Sequence, residues 1–238
     1  MSAIMRRIGR LEVAPPWSFF TAINTTFAAF LCLTIISTPI TLTLFPDQPF
    51  DTLAAWSLGA LLTLFYVNFS RRNDRDSLRL EAGQSRLLIV LLVGLGMAIT
   101  IDLIGLLAIG EFLPAPELLK VTLARDNLFI WLLAVLFMVL LQPLAEQLVF
   151  SGVFFPAAQQ AFGAWGGYIF TALCFALFHY FVYGFPPVNG LWPSAWAPLL
   201  AGLVIIAVRA NAGSTRSAIV AQMGFGLFAL LKLLVLVG

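Results

Sequence analysis

Three ionisable side chains, Asp102, Glu146 and His179, fall inside long apolar runs of this 238-residue sequence. An ionisable group at membrane depth is costly, so each is a candidate for function by default. Glu146 in QPLAEQLVF and His179 at the end of TALCFALFH supply a carboxylate and an imidazole, groups suited to activating a water. His179 is the sole histidine, and that count excludes much chemistry. Zinc hydrolases commonly use two or three histidines, and no HExxH occurs. Cys32 and Cys174 lie apart in apolar runs and read as small packed hydrophobes, so no metal site made by this chain alone is expected. A serine triad would need His179, Asp102 and an elbow serine, but no G-x-S-x-G is present. The residues by themselves leave His179 open between a packing residue, a catalyst and an axial ligand of a pigment or haem. Asp102 stays open between a proton or ion site and a carboxylate bonded to a neighbouring helix. Gln142, Gln147 and Gln222 are neutral polar companions.

The elements that must position these groups follow from composition. The sequence is 61% hydrophobic and only 10% charged, with mean hydropathy +0.99, against about 45–50% apolar and about 25% charged in an ordinary soluble domain. These figures exclude a disordered regulator, a nucleic-acid-binding domain and a soluble enzyme. They predict an all-α, polytopic transmembrane helical bundle forming one membrane domain over residues 1–238. A bilayer core needs about 20 apolar residues per helix. Candidate spans are 18–44, 53–69, 87–110, 128–161, 164–183, 195–209 and 217–237. The fourth would be about 50 Å long at 1.5 Å per residue, and Pro143 is where it would kink or break. Seven spans are expected, or eight if the fourth splits. No short apolar leader with a cleavage site precedes the first, which reads as an uncleaved span.

Alternation over seven spans places ten of the 13 Lys and Arg residues on one side. The other side receives Lys120, Arg125 and Lys232, so the N-terminus is expected to be cytoplasmic. Lys232 lies near a helix end and is expected to snorkel. Ser70–Arg86 reads as a solvated cytoplasmic loop, residues 111–127 as an outer connection with a short interfacial helix, and residues 184–196 as an interfacial cap. In this topology Glu146 falls toward the cytoplasmic half of its span and His179 toward the outer half, so tilt or a break at Pro143 is needed to bring them together.

Over residues 140–230 the sequence resembles the CAAX protease and bacteriocin-processing (CPBP/Abi) family of intramembrane glutamate proteases. The family's first motif, a Glu-Glu pair followed by phenylalanine, arginine and glycine, falls on Glu146, Gln147, Phe150, Ser151 and Gly152. The second, a Phe and a His four apart, is intact as Phe175 and His179. The third, a His and an Asn four apart, falls on Gln222 and Gly226. The resemblance implies that Glu146 acts as general base on a water that His179 orients. It also implies that the oxyanion support expected at the third motif rests on Gln222 alone, since Gly226 has no side chain.

Losing one oxyanion donor typically costs about 10²–10³ in rate. The departures are also coherent. Gln147 and Ser151 stand one helical turn apart, where the family would place a Glu–Arg pair. Removing both members leaves a neutral pair rather than a stranded buried charge. The expectation is a catalytically impaired member serving as an accessory subunit among other membrane proteins, with no cofactor. An active endopeptidase and a pigment-binding or transport subunit are the alternatives. The wide apolar faces suit partners, and a G-x-x-x-G at Gly163–Gly167 is a weak signal for close helix contact.

Overall fold

In lipid every backbone polar group must find its partner inside its own segment, so the apolar runs fold as helices. The computed structural model describes residues 3–46, 48, 50–81, 86–119, 121, 127–185, 187 and 190–237, and no strand occurs among them. A short helix α1 (Ala3–Ile8) precedes the bundle. Among the described residues, six helices are long and apolar enough to cross a bilayer. They are α2 (Phe19–Leu44), α3 (Asp51–Ser70), α4 (Leu87–Ile109), the 57-residue Leu128–Gly184, α7 (Trp192–Ala212) and α8 (Thr215–Val237).

The long helix is two helices folded back on each other. Gly163 has φ 75° and ψ 171°, outside any helical conformation, and glycine adopts it without a Cβ penalty. Beyond it the chain reverses. A Cβ on Gly167 would lie 2.5 Å from the Gln159 nitrogen, whereas residues eight apart in a straight helix are separated by about 12 Å. Ring pairs continue the alignment: Phe162 with Phe170 at 4.9 Å, Phe154 with Phe170 at 6.0 Å, and Phe150 with Phe175 at 5.3 Å. The arms are α5 (128–162) and α6 (164–184), so seven apolar segments result, with the turn where the sequence placed a boundary. The small residues of the G-x-x-x-G therefore serve contact inside the hairpin.

Pro143 does not break α5. It lies in the α-helical turn Gln142–Gln147, flanked by π-helical Leu136–Leu141 and Leu148–Phe154. The wider turn ahead of it makes room for a ring that would clash with an ordinary α turn. No eighth span arises from a break there.

The ends of the helices sort as alternation requires. At one end Arg7 donates to the Asn211 carbonyl at 2.6 Å, Gln160 to the Glu12 carbonyl at 2.9 Å, and the Thr215 amide to the Arg79 carbonyl at 2.8 Å. At the other end Lys232 reaches the Leu113 carbonyl at 2.7 Å, and Gly105 leaves room for the Trp192 indole. The outer connection contains a 3₁₀ turn, Pro116–Leu118. Lys120, Arg125, part of the Ser70–Arg86 loop and part of the 184–196 cap lie outside the described residues. Large apolar side chains on the outer helix faces stay exposed, as lipid contact demands, while Phe137, Phe150, Phe154, Phe155 and Phe175 fill the interior.

Candidate active site

The hairpin decides the geometry of the site. Counted from the shared Gly163 turn, Glu146 and His179 lie 17 and 16 residues away on antiparallel arms, hence at equal depth. The offset expected from the sequence arose from measuring each residue within its own span, although α5 is the longer arm. In the structure His179 Nε2 lies 3.5 Å from Glu146 Oε2, with Glu146 2% and His179 8% exposed. No tilt or break is needed.

The substituted motif positions gather on the same carboxylate. Gln222, reaching in from α8, donates its amide to Glu146 Oε2 at 2.6 Å. Gln147 donates to Gln222 Oε1 at 2.5 Å, and the Ser151 hydroxyl donates to Gln147 Oε1 at 2.5 Å. When ionised, Glu146 only accepts and so sets the direction of the whole chain. Gln222 must present its NH₂ to Glu146 and its oxygen to Gln147, and Gln147 must in turn accept from Ser151. All four side chains are buried. Tyr183, one turn beyond His179, completes the shell by donating to Glu146 Oε1 at 2.8 Å.

Gly226 has a different place. A Cβ there would overlap the Met138 carbonyl oxygen, so α8 and α5 meet backbone to backbone at this point. The position is closed to an asparagine unless the two helices separate.

Two participants were not expected from the sequence. Glu117, in the 3₁₀ turn of the outer connection, is 7% exposed and lies 4.0 Å from His179 Nε2. Gln142 donates to its Oε1 at 3.2 Å. Burial pushes the Glu117 carboxyl above the ordinary carboxylate range, and the facing imidazole counters that push. Tyr183 was detectable, because it follows His179 by four residues and shares its helix face. Glu117 carried no such mark, since a three-residue turn has no period to read.

Asp102 is not part of this cluster. It pairs with Lys232 at 2.5 Å, and Lys232 turns inward onto Asp102 and Leu113 instead of extending alone to water. Both line the far part of a cavity of about 160 Å³ whose near wall includes Glu117, Gln142, His179, Tyr183 and Gln222. Met138, Phe175 and Phe225 add apolar wall to the same cavity. Among the described residues no group of three or more His, Cys, Asp and Glu is placed to hold a metal ion.

Residues 128–228, from the start of α5 into α8, match the family described as Rce1-like, type II CAAX prenyl endopeptidase Rce1-like. Over that segment the chain is similar to the family. The resemblance read from the motifs is borne out by this match, which spans every motif position of the site. No curated protein and no solved structure matches the chain. Within the matched segment α5 and α6 contribute Glu146 and His179 and α8 contributes Gln222, while Glu117 enters from a connection that lies outside it.

Proposed function

We propose that this protein is a catalytically impaired member of the Rce1-like family, an integral membrane protein with its N-terminus in the cytoplasm that serves as an accessory subunit of a membrane assembly. The observation that carries the reading is the chain from Ser151 through Gln147 and Gln222 to Glu146. Three substituted motif positions satisfy one another, and the chain ends by occupying an oxygen of the carboxylate that would otherwise activate water. Acyl transfer also needs donors aimed at a developing oxyanion. Gln222 has one amide hydrogen committed to Glu146, and Gly226 offers none. The ten-to-three distribution of cations supports the orientation, as does the gathering of the N-terminal segment, loops and helix ends assigned to the cytoplasm at one end of the bundle.

The test is cleavage of a prenylated peptide by purified protein in detergent, compared with Glu146→Gln. Equal, background-level hydrolysis is expected from both. Turnover that disappears in Glu146→Gln would overturn the impaired reading. For the subunit role, gentle-detergent purification is expected to yield a stoichiometric membrane partner, and a clean monomer counts against it.

One observation favours the second reading, an active endopeptidase. Glu146 and His179 stand 3.5 Å apart, and His179 lines a cavity, so a base and a group to orient its water lie together. The peptide assay separates the two.

A further inference from the structure

We infer that Glu117 is the second carboxylate of this site, a positioning residue that fixes the face His179 presents to Glu146, acting through Gln142. The argument starts at the imidazole. His179 Nδ1 lies 3.3 Å from the Phe175 carbonyl oxygen, which only accepts, so Nδ1 carries a hydrogen and donates. That leaves Nε2 facing the site. Nε2 meets Glu146 Oε2 at 3.5 Å, the Gln142 amide nitrogen at 3.5 Å and Glu117 Oε1 at 4.0 Å.

Gln142 is the link. Its NH₂ has two hydrogens and stands 3.2 Å from Glu117 Oε1 and 3.5 Å from His179 Nε2. An ionised carboxylate at position 117 only accepts, so Gln142 turns its nitrogen, not its oxygen, toward that corner, and its second hydrogen is within reach of Nε2. Glu117 thus does for Gln142 what Glu146 does for Gln222. The turn that carries it is anchored: Leu118 and Val121 are fully buried. Glu117 and Glu146 are the carboxylates within 4.0 Å of the imidazole among the described residues. Tyr183 is the other titratable neighbour, its ring centroid 5.2 Å from the imidazole. The outer connection, rather than the motif helix, thereby supplies the acidic partner that Gln147 does not.

The inference rests on Glu146 and His179 forming one site, and it stands apart from whether that site cleaves anything. Because His179 is the sole histidine, protein labelled with ¹⁵N-histidine gives the two ring nitrogens of one residue, read in nanodiscs without substrate. Glu117→Gln is expected to shift the Nε2 resonance and leave Nδ1 in place, because Nδ1 keeps its carbonyl. Gln142→Leu should shift Nε2 as well, and the double variant should add little to either. Glu81→Gln, which removes a carboxylate at the opposite end of the bundle, should leave both signals unmoved. A wild-type Nε2 signal in folded Glu117→Gln, fully additive shifts in the double variant, or an equal shift in Glu81→Gln would each overturn the proposal. If Glu117→Gln does not fold, Glu117→Asp is read in its place, and an unmoved Nε2 signal there overturns it equally.

Discussion

Two buried polar networks meet at Ser151 and treat charge in opposite ways. On the motif side, its hydroxyl starts the amide chain to Glu146, and every link is neutral until the last. On the side facing the N-terminal segment, its carbonyl accepts from Arg209 Nε at 3.1 Å. Arg209 is fully buried and clamps Glu12 with two bonds of 2.6 and 2.9 Å, with Thr215 taking a further bond at 3.2 Å and Arg79 facing Glu12 at 3.4 Å. A guanidinium is thus buried one residue's width from a chain of neutral amides. The difference shows what burial demands. A guanidinium is tolerable when a forked carboxylate and neutral acceptors use its donors, and the N-terminal segment supplies that carboxylate here. Among the described residues no equivalent cation faces Gln147, so a glutamate there would be stranded, and an amide is the stable choice.

The contrast can be broken most sharply at Arg209. Arg209→Met should destabilise by about 3 kcal/mol, since half-buried Glu12 loses its forked partner and keeps only Arg79, and adding Glu12→Gln should recover part of the loss in a thermal unfolding series in detergent. A cost below about 1 kcal/mol would show that the two networks do not differ as argued. Next in size is Gln222→Leu, which orphans the Gln147 amide and one Glu146 oxygen. About 2–3 kcal/mol is expected from the same melts, with Gln222→His costing less because it keeps a donor.

Gly226→Ala should cost about 1–3 kcal/mol, by forcing α8 off the Met138 carbonyl. The same overlap, together with the guanidinium already beside Ser151, means that Gln147→Glu, Ser151→Arg, Gln222→His and Gly226→Asn combined should not restore peptide cleavage. Recovered turnover would show that the helices can separate. The smallest effect belongs to Asp102→Asn, about 1 kcal/mol or less, because that pair is partly exposed and an amide oxygen can still accept from Lys232.

Much of the fold was readable in the chain because spans are long apolar runs. The boundary between 161 and 164 brackets Gly163, and the runs at 53–69, 87–110 and 217–237 correspond to α3, α4 and α8. Glu146, His179 and Gln222 were readable as polar groups inside those runs. What could not be read depends on contacts distant in sequence. Glu12 and Arg209 are 197 residues apart, and Arg209 resembled one more cytoplasmic cation. Lys232 resembled a snorkelling end residue until Asp102 lay opposite it. Glu117 sits in a turn without periodicity, so neither its burial nor its partner leaves a pattern. Depth was misjudged for a related reason: residues on the arms of one hairpin share an origin that separate spans do not.

That common origin limits which insertions and deletions the segment can accept. Adding one residue to a single arm between Glu146 and Gly163 would swing everything upstream by about 100° around the helix axis, aiming the carboxylate into lipid while the imidazole stayed put. One residue added to each arm would turn both groups and move them further from the bend together. Length changes in this stretch should therefore survive in descendants of the gene only in matched pairs, one on either side of Gly163.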